Sequence, residues 1–335
     1  MISMRQTLAL LKFVVATSFF LLGVSASAET SDAQSWLKKI QSAAQKLNYS
    51  GTFVYQQGSQ MRTSRITHLL EGRNEIEKLE VLDGKPREYI RTNEEVVCYV
   101  PETKTLLVEK RVTNDVFPAI LAASPADIGE YYNVRMDAVG RVAGRDCQAI
   151  VLEPKDNMRY GYRLWADKST GLLLRAQTLD ESRSVIEQIA FTQIAIGSVD
   201  RARAKPSFGD TSGWRVENAV MSQASLSGWS VKSLPPGFRK VREVKRLVSD
   251  ASAQGGNPQG QSVQREVSHM VFSDGLAAIS VFIEPGSQSR TEGSMQQGAL
   301  NIVGKRHGDF WLTIVGEVPS TAIRQVANSI EFKSK

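Results

Sequence analysis

The feature that most constrains this chain is a series of segments, between residues 49 and 196, in which apolar and polar residues alternate. Alternation with a period of two is typical of β-strands that present one face to a core. The clearest case is "NMRYGYRLWADKSTGLLLRAQTLD" at 157–180, where two alternating segments flank one turn. Turn residues such as Asp83-Gly84 separate other segments, which indicates hairpins between neighbours in sequence. The sequence therefore predicts a long antiparallel meander.

A sheet of this many strands must twist and curl, and its concave side needs a cover. Two segments can supply one. Apolar residues recur at helical spacing over 31–47, and "FPAILAASPADIGE" at 117–130 interrupts the strands with short helical patterns. We therefore predict an α+β, β-rich fold, in which a curled antiparallel sheet forms an open β-barrel with helices over its open face.

The first 28 residues have the pattern of a secretory signal peptide. Arg5 and Lys12 form a basic start, residues 13–24 are apolar, and Ala26-Ser27-Ala28 is a small-residue cleavage signal. The apolar run is short for a membrane span, so an uncleaved anchor is the weaker alternative. We expect cleavage after Ala28 and a soluble, exported protein.

The remaining chain is long enough for two domains. Residues 198–213, "SVDRARAKPSFGDTSG", lack periodicity and predict a linker between a domain at 29–197 and a smaller one at 214–335. In the second domain, two hairpins turn at 273–275 and near 307–308, and an amphipathic helix begins at about Pro319. The polar, glycine-rich segment 251–262 is predicted to be a mobile loop.

Positive charge is concentrated in the second domain. Residues 214–335 contain 14 basic and 10 acidic side chains, whereas 29–213 contain 25 of each, so nothing suggests a nucleic-acid binder. Part of the excess lies in one run, whose basic members are Arg239, Lys240, Arg242, Lys245 and Arg246. A solvated face is the usual role of such a run. The alternative is a surface that binds an acidic partner or lipid phosphates.

The sequence carries no pattern of an enzyme or a metal site. The histidines, His68, His269 and His307, have no second ligand at metal-binding spacing, and there is no nucleophile or phosphate-loop motif. We therefore expect no catalytic residues, metal or cofactor. The two cysteines, Cys98 and Cys147, could form a disulfide in an oxidising compartment or remain as two buried thiols on separate strands.

The hairpin at 157–180 suggests a binding cavity instead. Strand parity places Tyr160, Tyr162 and Leu164 on one face, and Leu172 and Leu174 share one face of the return strand. A plain sheet core is the simpler interpretation of this pattern. A curled sheet lined in this way and covered by helices could also enclose an apolar cavity for an acyl chain. The candidate cavity residues are Phe53, Tyr55, Tyr160, Tyr162, Leu164, Leu172 and Leu174.

Several stretches resemble one protein family. "GRDCQAIVLEPKDNMRYGYRLWADKSTGLLLRAQTLD" and "VIEQIAFTQIAIG" are similar to the large domain of the RseB/MucB family, and "SLPPGF" and "MVFSDGLAAISVFIE" are similar to its small domain. The resemblance covers essentially the whole chain after the leader. It implies a large domain similar to the lipoprotein carriers LolA and LolB, an open β-barrel with a helical plug, and a smaller α/β domain.

The resemblance also implies a function in binding. Family members are periplasmic regulators of the sigma-E (AlgU-type) envelope-stress response, which bind the periplasmic part of a membrane-spanning anti-sigma factor and shield it from proteolysis. Lipopolysaccharide or acyl chains of mislocalised lipoproteins are implied to displace them. No residue role is transferred, because the family has no short functional motif. A lipid carrier without a regulatory partner is the alternative, a homo-oligomer is left open, and an exported hydrolase fits least well.

Overall fold

The computed structural model of the protein describes residues 22–93, 95–110, 125–219, 221–223, 226, 228–249, 264–286 and 290–333. Its α-helices are α1 (Leu22–Lys46), α2 (Pro125–Tyr131) and α3 (Ser320–Asn328). Its strands are β1 (Tyr49–Gln57), β2 (Gln60–Glu71), β3 (Asn74–Val81), β4 (Arg87–Thr92), β5 (Glu95–Val100), β6 (Thr105–Lys110), β7 (Tyr132–Val142), β8 (Arg145–Pro154), β9 (Gly161–Asp167), β10 (Leu173–Leu179), β11 (Val185–Ile196), β12 (Arg215–Ala219), β13 (Met221–Gln223), β14 (Trp229–Val231), β15 (Arg239–Ser249), β16 (Gln264–Ser273), β17 (Ala278–Pro285), β18 (Gly293–Gln297), β19 (Leu300–His307), β20 (Phe310–Gly316) and β21 (Ile330–Phe332).

The larger sheet has twelve strands in the order β12-β6-β5-β4-β3-β2-β1-β11-β10-β9-β8-β7. Most neighbours follow one another in sequence and pair antiparallel, as the alternating pattern predicts. Two pairings join distant parts of the chain, since β1 pairs with β11 and the short β12 runs parallel to β6. Within the described residues the outermost strands, β7 and β12, do not pair with each other, so the curled sheet stays open. The predicted β-rich, open-barrel fold is confirmed.

Helix α1 covers the concave side of the larger sheet. Its buried residues Ala33, Leu37 and Ile40 pack against Tyr162 and Leu164 of β9. The helix begins at Leu22 rather than near residue 31 as predicted. Residues 24–30 contain no glycine or proline, so nothing in them prevents the helix from extending towards the N-terminus. Of the second predicted cover, 117–130, residues 125–131 are helical in α2 and 117–124 lie outside the described residues.

The smaller sheet has seven strands in the order β13-β15-β16-β17-β20-β19-β18. One of its faces packs against α3, which buries Ile323, Val326 and Ala327 as the amphipathic pattern predicts. A separate pair, β14 and β21, completes this part of the fold. The predicted hairpins form from β16–β17 and β19–β20. The segment predicted to be a mobile loop, 251–262, lies outside the described residues.

Residues 198–213, the predicted linker, are held against the larger sheet. The Lys78 ammonium, only 2% exposed, donates to the carbonyl of Lys205 at 2.8 Å and to the Ser207 hydroxyl at 2.7 Å. The amide of Ser207 in turn donates to the Glu88 carboxylate at 3.0 Å. Because β12 then adds to the same sheet, the large structural unit continues past residue 213. The domain boundary at 213/214 stays a prediction.

Candidate functional site

The concave face of the larger sheet holds most of the predicted cavity residues, in two apolar clusters. In the first, Tyr162 and Leu164 are buried beneath α1. The ring of Tyr132, at the start of β7, lies 6.3 Å from that of Tyr162. Burial, followed by the nearby carboxylate of Asp274, raises the pKa of Tyr162 well above its usual value. Both predicted residues in this cluster are therefore packed core residues when α1 is in place.

The second cluster contains Phe53, Leu172 and Leu174, with Phe191 packed edge-on to Phe53 at 5.8 Å. It borders an apolar cleft of about 20 Å³, which is room for about one water molecule. The cleft is lined by Ala44, Tyr49, Leu172, Leu173, Leu174, Arg175, Ala176, Ile189 and Phe191. Pockets for small-molecule ligands are usually about 300 Å³ or more. An acyl chain could enter only if α1 or the lining side chains moved.

The remaining two predicted cavity residues lie nearer the small domain. Tyr55 is half-buried, and burial together with Glu187 raises the pKa of its hydroxyl. Tyr160 precedes β9, so the alternation of that strand does not determine its direction. Its hydroxyl accepts a hydrogen bond from Asn301 of the small domain at 3.2 Å. The structure therefore places Tyr160 between the two domains.

A larger pocket, of about 400 Å³, lies on the opposite face of β7–β10 from α1. Its walls carry charges of both signs, which largely pair with each other. Arg135 contacts Glu153 at 3.0 Å, and the Arg163 side chain lies 2.9 Å from Asp137. Parity alone did not indicate this pocket, because its depth depends on how charged side chains of β7–β9 and of the loops after β8 and β10 fold over the sheet.

The predicted basic run lies on β15, and most of its members have carboxylate partners. Lys240 pairs with Glu243, which follows it by three residues, and Lys245 pairs with Glu266 at 2.7 Å. The remaining ion pairs reach across to the larger sheet, where Glu109 of β6 lies 2.7 Å from Arg246 and 4.0 Å from Arg242. Arg239 is exposed and forms no ion pair with any described residue. The run is thus partly a solvated face and partly a contact between the domains.

His269 lies on β16 beside this basic run. Its ring stacks on Phe282 with a centroid distance of 4.2 Å, and neither ring nitrogen has a hydrogen-bond partner among the described residues. Burial, followed by the positive charges of Arg242 and Arg246, lowers the pKa of His269 to about 4. The imidazole is therefore neutral at pH 7.

The remaining side chains that could react or bind a metal lie apart from one another. Cys98 on β5 and Cys147 on β8 are free thiols, and seven strands lie between them in the order of the sheet. The disulfide that the sequence left open is therefore not formed. No group of three or more metal-ligating side chains occurs within the described ranges. Over those same ranges, no helix is long and apolar enough to cross a membrane.

Known proteins resemble this chain along most of its length. Sigma factor AlgU regulatory protein MucB of Pseudomonas aeruginosa is 29% identical, over 90% of this chain and 92% of its own. Sigma-E factor regulatory protein RseB of Haemophilus influenzae is 26% identical, over 96% and 98%. A crystal structure of MucB in complex with MucA(peri) is similar with a TM-score of 0.68 and 26% identity, covering 90% of this chain and 100% of that one.

The family models agree with these likenesses. The MucB/RseB N-terminal domain matches residues 32–208, and the MucB/RseB C-terminal domain matches residues 223–331. Together the two matches cover most strands of both sheets, in the order that the sequence resemblance implies. This chain belongs to the MucB/RseB family.

Proposed function

We propose that the protein is a periplasmic regulator that binds the periplasmic region of a membrane-spanning, MucA- or RseA-like anti-sigma factor. Binding shields that region from proteolysis and so restrains a sigma-E-type envelope-stress response. The observation that carries the proposal is the match of both domains to a family whose member MucB has been solved with periplasmic MucA. Export with removal of residues 1–28 is part of the proposal, as is a role in binding rather than catalysis.

The exposed part of the basic run is the proposed contact for the partner. Arg239 is exposed, and the side chains of Lys240 and Lys245 are 47% and 38% exposed. Glu266, the carboxylate partner of Lys245, is 52% exposed, and an ion pair between surface groups contributes only about 0–1 kcal/mol. An acidic side chain of a partner can therefore replace Glu266 at little cost, and Arg239 has no ion pair to give up among the described residues. Arg242 and Arg246 are less available, because Glu109 of the larger sheet already faces them.

The concave face is the proposed site of lipid sensing. Leu172, Leu174 and Phe53 offer an apolar surface, and α1 covers the neighbouring cluster. One tether of this helix is an exposed hydrogen bond from the Lys39 ammonium to the carbonyl of Lys168, at 2.7 Å. Acyl chains of lipopolysaccharide or of mislocalised lipoproteins would bind by widening the cleft. A lipid carrier without a regulatory partner remains the second candidate, supported by the same apolar face.

Partner binding is tested by titrating the mature chain, residues 29–335, with a fluorescently labelled periplasmic segment of the anti-sigma factor. We expect Arg239→Glu with Lys240→Glu to weaken binding at least tenfold and to reduce its dependence on salt. The matched control is Arg201→Glu with Arg203→Glu, which reverses the same number of charges on exposed arginines away from β15. Equal affinities for all three proteins would remove the basic run from the proposal.

A further inference from the structure

Arg159, in the loop before β9, is fully buried between the two domains. Its side chain is 0% exposed, and so is that of Asp274, the small-domain carboxylate that it contacts at 2.5 Å. Within its own domain, Arg159 forms a two-pronged pair with Asp156 at 3.0 and 3.1 Å. The guanidinium also donates to the carbonyl of Pro236 in the small domain. One cation therefore bonds to groups of both domains at once.

Aromatic rings enclose the same guanidinium. The ring of Tyr131 lies 4.8 Å from it, and those of Tyr132 and Phe238 lie 5.6 and 5.5 Å away, within the range of cation–π attraction. Gly237 lies against Tyr131 so closely that an added Cβ would overlap its ring, and its φ of +79° also favours glycine. These three rings, which we call the cage, therefore come from both domains. They can pack this closely only because residue 237 is a glycine.

Three stretches that resemble the family in sequence meet at this point. "NMRYGYR" provides Arg159, "SLPPGF" provides Pro236, Gly237 and Phe238, and "SDGLAA" provides Asp274. The turn at Asp274 is held independently, since its other carboxylate oxygen accepts from the amides of residues 276 and 277 at 2.9 and 2.8 Å. None of these stretches belongs to the basic run or lines the apolar cleft.

The cage also touches the cluster beneath α1. The Tyr132 hydroxyl lies 3.4 Å from the carboxylate of Asp274, and the Tyr132 ring packs against that of Tyr162. Tyr162 belongs to the cluster that α1 covers. A change in the packing of that cluster must therefore shift Tyr132, which contacts Asp274 of the small domain.

We propose that Arg159 is the positioning residue that docks the small domain on the large one and couples its orientation to the state of the concave face. A buried charge tolerates partial separation from its partner poorly, so docking through Arg159 is close to all-or-none. The coupling rests on the proposed function. Lipid that displaces Tyr162 shifts Tyr132, weakens the contacts around Asp274 and loosens the docking, so that an anti-sigma factor bound across both domains is released.

The docking is tested without lipid or partner, by measuring the distance between spin labels on the two domains. Labels at Arg201→Cys and Arg324→Cys, both exposed, are introduced in the mature chain carrying Cys98→Ser and Cys147→Ala. We expect one narrow distance distribution for this reference protein. Arg159→Gln, which leaves two carboxylates without their cation, should broaden it most. The matched control is Arg145→Gln, which breaks a two-pronged ion pair inside the large domain and should change nothing.

Asp274→Asn decides the test if Arg159→Gln does not fold. The amide keeps the oxygen that accepts from residues 276 and 277, but an NH2 group replaces the oxygen that accepts from Arg159, so the charge and the acceptor are both lost there and the distribution should broaden. A narrow distribution in the folded variants would overturn the docking role.

The coupling has its own measurement. Lipopolysaccharide should lower the affinity of the reference protein for the labelled anti-sigma segment. The factor by which lipopolysaccharide lowers this affinity should fall towards one in Asp274→Asn. An unchanged factor would overturn the coupling through Arg159 while leaving the proposed function intact. No lipid effect in the reference protein would refute lipid sensing and the coupling together, and the spin-label distances would still decide the docking.

Discussion

Replacing Leu174 by alanine should make the protein less stable and a better lipid binder. The Leu174 side chain is 1% exposed and packs among Tyr49, Phe53 and Phe191 at the wall of the apolar cleft. Leucine-to-alanine substitutions at such sites cost about 2–5 kcal/mol of unfolding free energy. Taking about 3 kcal/mol, and about 2–4 °C per kcal/mol for a domain of this size, we expect the melting temperature to fall by about 6–12 °C.

The lipid affinity should change in the opposite direction. Removing the leucine methyl groups enlarges an apolar space that stays dry and accepts apolar ligands. A fluorescent fatty acid should therefore bind several-fold more tightly to Leu174→Ala than to the unmodified protein, as measured by titration at a temperature where both are folded. The control is Leu312→Ala, which removes the same atoms from the core of the small domain. It should lose similar stability without gaining lipid affinity. A destabilised Leu174→Ala protein with unchanged or weaker lipid binding would refute the assignment of the cleft.

Two further predictions concern the small domain and its contact with the large one. The pKa of His269 is about 4 in the folded protein and about 6.5 in the unfolded chain. Between pH 6.5 and pH 4 the unfolded chain therefore binds a proton that the folded protein does not. Acidification over this range lowers the free energy of unfolding by up to about 3 kcal/mol. His269→Phe should flatten urea-unfolding free energies over this pH range, and an unchanged pH dependence would contradict the burial of a neutral imidazole. Gly237→Ala should lose about 2–4 kcal/mol, from its positive φ and the overlap with Tyr131. Gly58→Ala, with positive φ and open space, should lose only about 1–2 kcal/mol, and equal losses would contradict the close approach.

The strands could be predicted because their signals are local. Period-two alternation and turn residues such as Asp83-Gly84 depend on neighbours in sequence, and the structure confirms the meander. The pairing of β1 with β11 and of β12 with β6 depends on contacts between distant segments, which alternation does not encode. Residues 198–213 lack a period because they are held by single contacts, such as that of Ser207 with Lys78.

The candidate site was harder to predict than the fold. Strand parity places no constraint on Arg159, which precedes β9, and the structure buries it against a carboxylate 115 residues away. The signals were present as an aspartate in a tight turn and a glycine after two prolines, but neither indicates its partner. The basic run was visible as a cluster of charge, and its pairing with Glu109 was not, because β6 and β15 meet only in the folded chain.

The most direct test of the account is a titration of residues 29–335 with the periplasmic segment of the anti-sigma factor, first alone and then with lipopolysaccharide. We expect tight binding that weakens progressively as lipopolysaccharide is added, because both ligands act on one docked pair of domains. Tight binding that is indifferent to lipid would contradict the sensing role and return the concave face to a structural core. Failure to bind the segment at all would contradict a regulator that acts through the anti-sigma factor and would favour a lipid carrier.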